Sequence, residues 1–261
     1  MSGGRLPMER RSAGGYVARY PLLALLDPRA PAVPLLLALS AGLAAWGGLV
    51  WAVGMPIWGA TTVLLAAALP VGVRKWRADL AVWGPATTVL GVLVVLQGFH
   101  SLEHVVQWVQ YHVLYQPPSQ SSGLISAANV EWVHFVWNWI VVTLLVGLAR
   151  GGVRNRWSWL LLAWAGAHAA EHTYMMVRYL QMKQELAGLG VPSISAQGLP
   201  GFFGRDGWLA RGPVTQNTFL CRIPVATTTS RLDVHFWWNT GEILLLAAAA
   251  HVHLRRQFRS G

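Results

Sequence analysis

The chain is a succession of apolar runs about as long as a bilayer is thick, with most of its Lys and Arg gathered at their ends. A helix rises about 1.5 Å per residue, so crossing a hydrocarbon core about 30 Å thick takes roughly 20 mostly apolar residues. Residues 33–54, 56–73, 82–115, 129–149, 157–182 and 232–253 meet that requirement. The sequence therefore predicts an all-α integral membrane protein with six transmembrane helices. The third and fifth runs exceed a span and are expected to project beyond the outer surface. Pro56, two residues after Gly54, makes the first connection very short. Ahead of the spans, residues 16–30 read as an interfacial segment with Leu22, Leu23, Leu25 and Leu26 against the bilayer.

Composition agrees. Of 261 residues, 54% are hydrophobic and 11% charged, whereas a soluble domain carries about a quarter charged residues. The 15 tryptophans suit a chain that crosses the membrane interface repeatedly. A net charge of +10 raises the question of nucleic acid, but the basic residues form no groove with interleaved aromatics, and no nucleic-acid partner is expected. Their positions set topology instead. Arg5, Arg10, Arg11 and Arg19, then Arg74, Lys75 and Arg77, then Arg150, Arg154 and Arg156, and finally Arg255, Arg256 and Arg259 all fall on one side of six spans. The opposite short connections, around Gly54 and at 116–129, carry none. The positive-inside rule then predicts a multi-pass protein of a bacterial-type inner (plasma) membrane with both termini cytoplasmic. The N-terminal stretch has no apolar core of the kind a cleaved signal peptide needs. The one cysteine, Cys221, reads as an incidental thiol.

An internal repeat places the chemistry. Gly98-Phe99-His100-Ser101-Leu102-Glu103-His104 recurs as Gly166-Ala167-His168-Ala169-Ala170-Glu171-His172, and Val133-His134-Phe135-Val136-Trp137-Asn138 recurs as Val234-His235-Phe236-Trp237-Trp238-Asn239. The unit is a helix with HxxEH followed by a helix with HFxWN. The predicted organisation is an N-terminal segment at 1–31, a hairpin at 32–76, a first repeat at 77–150, a second at 151–254 with an outer-loop insertion at 183–231, and a tail at 255–261. Copies that both start on the cytoplasmic side are parallel repeats, so the last four spans are expected to form a pseudo-twofold four-helix bundle. The insertion is rich in Gly, Pro, Ser and Thr but holds Phe202, Phe203, Trp208 and Phe219, which suits a lid better than a disordered tail.

Positions i, i+3 and i+4 share a helix face. His100, Glu103 and His104 point one way, as do His168, Glu171 and His172. His134 shares a face with Asn138, and His235 with Asn239. His168 lies 12 residues beyond Arg156, about 18 Å into the membrane and just past its midplane. All four helices thus bring polar groups to one layer in the outer half. Ionisable residues inside a span are costly and tend to be functional. The expected metal ligands are His100, Glu103, His104, His134, His168, Glu171, His172 and His235, with Glu103 and Glu171 doubling as catalytic carboxylates. Asn138, Asn239 and Glu242 are expected to support the centre. His112, Glu131 and Asp233 are assigned to the solvated outer mouth, and His251 and His253 to the cytoplasmic interface.

Imidazole and carboxylate together suit Fe, Cu or Zn, and eight ligands suffice for two ions. The chain resembles membrane non-haem di-iron desaturases and hydroxylases in being multi-span and histidine-rich, but lacks their adjacent histidine pairs. Helix bundles with carboxylate-bridged dimetal sites are similar in architecture alone. The functional expectation is a metal-dependent oxidoreductase acting on a lipophilic or small substrate, with an electron-donor protein as partner. A b-type haem protein is the main alternative, since such haems sit between paired histidines. An intramembrane zinc hydrolase is another, because HxxEH also occurs where two histidines bind zinc and the glutamate is a base. A metal-handling protein is the third.

Overall fold

The computed structural model describes residues 21–26, 32–126, 129–190 and 199–260. Among them every regular element is helical: α1 (Pro21–Leu26), α2 (Ala32–Trp51), α3 (Ile57–His112), α4 (Glu131–Arg150), α5 (Arg156–Gly188), α6 (Trp208–Arg211), a 3₁₀ turn (Phe219–Arg222) and α7 (Arg231–Ser260). Among the described residues, three helices are long and apolar enough to cross a membrane, within Val33–Trp51, Ile57–His112 and Glu131–Arg150.

The second and third expected spans belong to one kinked element. α3 runs from 57 to 112 and breaks at Gly84, whose φ of 76° and ψ of 177° are open to glycine and lie ahead of Pro85. Proline disfavours helical geometry in the residue before it and removes a backbone donor. The break therefore falls later than expected. Arg74, Lys75 and Arg77, read as part of a connection, are helical. The domain boundary drawn at 76 lies inside the first arm. Lys75 pairs with Asp79 one turn on, both buried, and this local pair keeps the charged stretch helical.

α2 packs against the first arm of α3, where Trp46 Nε1 donates to Thr61 Oγ1 at 3.1 Å. The second arm, α7, α5 and α4 are in cyclic contact, α3 with α7, α7 with α5, α5 with α4 and α4 with α3. One half of this group is apolar, built on Leu90, Leu93, Val141, Leu145, Leu161 and Leu246. The other half, towards the 113–130 and 199–230 connections, holds the histidines. Large apolar side chains also face outward, including Leu37 and Leu244, each 64% exposed. A bundle in water would put polar residues there.

α1 corrects an expectation. Leu25 does not face outward; it is buried against Gly91 and belongs to the core, while Leu23 is exposed. The rest of the 16–30 segment lies outside the described residues. The 183–231 insertion is not all loop. α5 continues to Gly188, and 199–230 folds back with Leu199 and Leu209 buried and Phe202 stacked on Trp208 at 5.0 Å.

Candidate metal centre

The register of α5 is set at its start. The Asn155 side chain accepts from the Trp157 and Ser158 amides, and Ser158 Oγ accepts from the Asn155 amide, a capping box. Asn155 Nδ2 also donates to the Ala249 carbonyl of α7 at 3.0 Å. Three turns further on, His168, Glu171 and His172 face the interior, all buried.

The six repeat histidines form one connected cluster. Ring centroids are 4.8 Å apart for His100–His104, 5.4 Å for His104–His235, 5.1 Å for His172–His235 and 4.9 Å for His168–His172. His134 sits among them, 5.8 Å from His104, 5.4 Å from His172 and 5.7 Å from His235. The ligand nitrogens of His100, His104 and His134 lie within 4.8 Å of one another.

Hydrogen bonding gives these rings a direction. His104 Nδ1 lies 3.0 Å from Gln107 Oε1, His168 Nδ1 2.9 Å from Glu242 Oε1, His172 Nδ1 2.7 Å from Glu131 Oε1 and His134 Nδ1 3.1 Å from the Val130 carbonyl. Oxygens of these kinds accept, so Nδ1 carries the proton and Nε2 keeps its lone pair. The Nε2 atoms of His100, His104, His168 and His172 are buried and have no hydrogen-bond partner. Buried polar atoms are nearly always satisfied. On His104, His168 and His172 the opposite nitrogen is held by an amide or a carboxylate, and such oriented lone pairs without donors are what a bound transition metal requires. The donor set fits such an ion.

The two glutamates of the HxxEH motifs have other partners. Glu103 accepts from the amides of Leu124 and Ile125, each at 2.8 Å, and Gly123 packs against its carboxylate. Glu171 accepts from Arg231 Nη1 at 2.5 Å and from Trp238 Nε1 at 3.1 Å, with Gly201 packed against it. Each carboxylate holds the connection of its own hairpin, at Leu124 and Ile125, or the residue ending it, Arg231. Asn138 and Asn239 donate to the carbonyls of His134 and His235 four residues earlier. They steady their helices rather than touch the imidazoles.

Several participants escape the repeat. Glu131, expected at a solvated mouth, is 1% exposed and bonded to His172, because the first turn of α4 tucks under the loop-bearing end. Gln97 bridges Glu242 at 2.5 Å and accepts from Trp137 Nε1 at 3.1 Å. Arg231 reaches Glu171, Met175 and His235. His112 pairs with Asp233 at 2.8 Å beside the cluster rather than in it, and His253 lies at the opposite end, 3.5 Å from Thr87 Oγ1. Cys221 donates locally to the Thr218 carbonyl. No protein-family model matches this chain, and neither the curated proteins nor the solved structures compared with it give a match.

Proposed function

We propose that the chain is a six-span inner-membrane protein that binds transition-metal ions, two in number, in the histidine layer and acts as a metal-dependent oxidoreductase on a lipophilic or small substrate. The observation that carries the metal site is the set of buried Nε2 atoms on His100, His104, His168 and His172 that lack hydrogen-bond partners. α5 and α7 complete the six spans in this reading. Their mean hydropathy is lowered by His168, Glu171, His172, His235, Asn239 and Glu242, all of which are buried. The two arms of α3 count as two spans. The arginine distribution supports cytoplasmic termini and metals in the outer half of the bilayer.

The first ligand set is imidazole, with carboxylates behind it. Glu131 and Glu242 orient His172 and His168 and raise their basicity. Glu103 and Glu171 enter as the groups that hold the outer connections over the metals. Bound iron or copper would supply one-electron chemistry and an open position for a small oxygen-containing reactant. The chain's own residues exclude water and fix the ligand tautomers.

The histidine packing leaves little room for a haem. Bis-histidine haem needs two imidazoles separated by a slot for the macrocycle, whereas here imidazole lies on imidazole, His134 stacking on His172 at 5.4 Å and on His235 at 5.7 Å. That contact favours ions held directly. The deciding experiment is elemental analysis with a visible spectrum of the protein purified in detergent. Two equivalents of iron or copper without a Soret band are expected, falling on His168→Ala. A Soret band moves the reading to haem, and metal-free protein from metal-replete cells ends it.

A further inference from the structure

The two copies of the repeat contribute matching histidines, yet the copies are not equivalent. In the first, the ligand nitrogens of His100, His104 and His134 lie within 4.8 Å of one another. His104 Nδ1 is taken by Gln107 Oε1 and His134 Nδ1 by the Val130 carbonyl, so each ring presents Nε2 with its lone pair. The Nε2 atoms of His100 and His104 are buried with no hydrogen-bond partner. In the second copy the matching residues are His168, His172 and His235. There His235 Nε2 lies 2.5 Å from Arg231 Nη2. A guanidinium only donates, so the lone pair of this nitrogen is already engaged. Arg231 is the first residue of α7, and its Nη1 donates to Glu171 Oε1 at 2.5 Å. The matching residue of the first copy is Val130, whose apolar side chain brings no cation to His134.

We propose that His100, His104 and His134 form a three-imidazole site for the tightly held ion of the histidine layer, and that Arg231 keeps His235 out of any metal site. Imidazoles suit Zn, Cu or Fe. Three protein ligands leave a fourth position open, the arrangement found where an ion takes part in a reaction rather than in folding. The open position for a small reactant therefore belongs to the first copy. His168 and His172 keep Nε2 atoms without partners, but with His235 engaged they offer a second ion two imidazoles instead of three, and it is held more weakly. In the second copy the resident cation is the guanidinium, balanced by Glu171. The inference rests on the reading of the histidine layer as a metal centre, and adds to it the ligand set, the order of filling and the function of Arg231.

The test is a competitive chelator titration of the full-length protein in detergent, with Zn(II) and with Co(II) as probe ions. Two phases are expected, the tighter amounting to one equivalent. His100→Ala and His134→Ala should each weaken the tight phase by more than the roughly 10–100-fold that loss of an orienting partner costs. His168→Ala should remove the weak phase and spare the tight one. His235→Gln, whose amide can still accept from Arg231, should change neither. X-ray absorption of the unaltered protein carrying one equivalent of Zn(II) should show three imidazoles and an oxygen donor, and this measurement decides if a variant fails to fold. Two equal phases overturn the proposal, as does a tight phase lost in His168→Ala, or one weakened as much in His235→Gln as in His134→Ala. A first equivalent bound by two or four imidazoles overturns it too. In each of those outcomes the metal centre itself survives, whereas protein that takes up neither ion ends both.

Discussion

His172 Nδ1 lies 2.7 Å from Glu131 Oε1, and the two residues come from different copies of the repeat. His172 stands on α5, in the second copy, and Glu131 opens α4, in the first. The carboxylate fixes the tautomer of a ring whose Nε2 is buried without a hydrogen-bond partner, so under the proposed function one copy supplies the ligand and the other its orienting group. Loss of such an orienting partner typically costs about 10–100-fold in metal affinity. Glu131→Gln is expected to weaken metal binding within that range, measured by competitive chelator titration. Glu185→Gln, on the exposed end of α5, is expected to leave it unchanged.

Glu103 accepts from the Leu124 and Ile125 amides, partners its place in HxxEH does not reveal. As a ligand it would take metal with it when neutralised. As a clamp for the Leu124 and Ile125 amides it loses one acceptor oxygen in Glu103→Gln and holds the connection less firmly. We expect Glu103→Gln to retain at least most of its metal while amide hydrogen exchange at 124–125 accelerates. Loss of metal with unchanged exchange would return Glu103 to the ligand set.

The same clamp makes a glycine indispensable. Gly123 has φ +76°, and a Cβ there would lie 2.2 Å from Glu103 Oε1. A left-handed backbone costs an L-residue roughly 1–2 kcal/mol, and the overlap forces the carboxylate off its two amides. Gly123→Ala should lower the melting temperature of the purified protein more than Gly147→Ala, where a Cβ meets nothing within 4 Å.

The histidines were legible in the sequence because duplication marked them. HxxEH and HFxWN recur, and helical periodicity then puts their polar residues on one face. The helices were legible from apolar length. What stayed hidden is what differs between the copies. Gln97, Gln107 and Glu131 correspond to Ala165, Met175 and Leu232, and Arg231 and Glu242 correspond to Val130 and Val141. A comparison of copies discards these positions, yet they supply most of the partners of the imidazoles. The partners of Glu103 and Glu171 were hidden for a related reason. Sharing a helix face with histidines fixes a direction, but the connections that supply the Leu124 and Ile125 amides and lead into Arg231 come from sequence with no period. The break in α3 was set too early because Arg74, Lys75 and Arg77 look like a connection, whereas the Lys75–Asp79 pair keeps them helical as far as Gly84.

Which side of the membrane the histidine layer faces is a separate prediction, and it decides what can reach the histidines. The layer lies at the end carrying 113–130 and 199–230, and the apolar core of Leu145, Leu161 and Leu246 fills the other end. The connection at 151–155 and the tail after 254, at that other end, hold Arg154, Arg255, Arg256 and Arg259. The 116–129 connection has no Lys or Arg. Positively charged short loops stay in the cytoplasm, so the histidines are expected in the outer half. Reporters inserted at Ser121 and Gly152 are expected to read periplasmic and cytoplasmic respectively. A reporter at Thr228, in the folded outer connection, should agree with Ser121. Labelling of Ser121 and Thr228 on the cytoplasmic side, with Gly152 outside, would put the metals in the inner half and make any electron donor a cytoplasmic one. Labelling that separates Ser121 from Thr228 would instead break the hairpin pairing of α4 with α5 and α7, and with it the six-span topology.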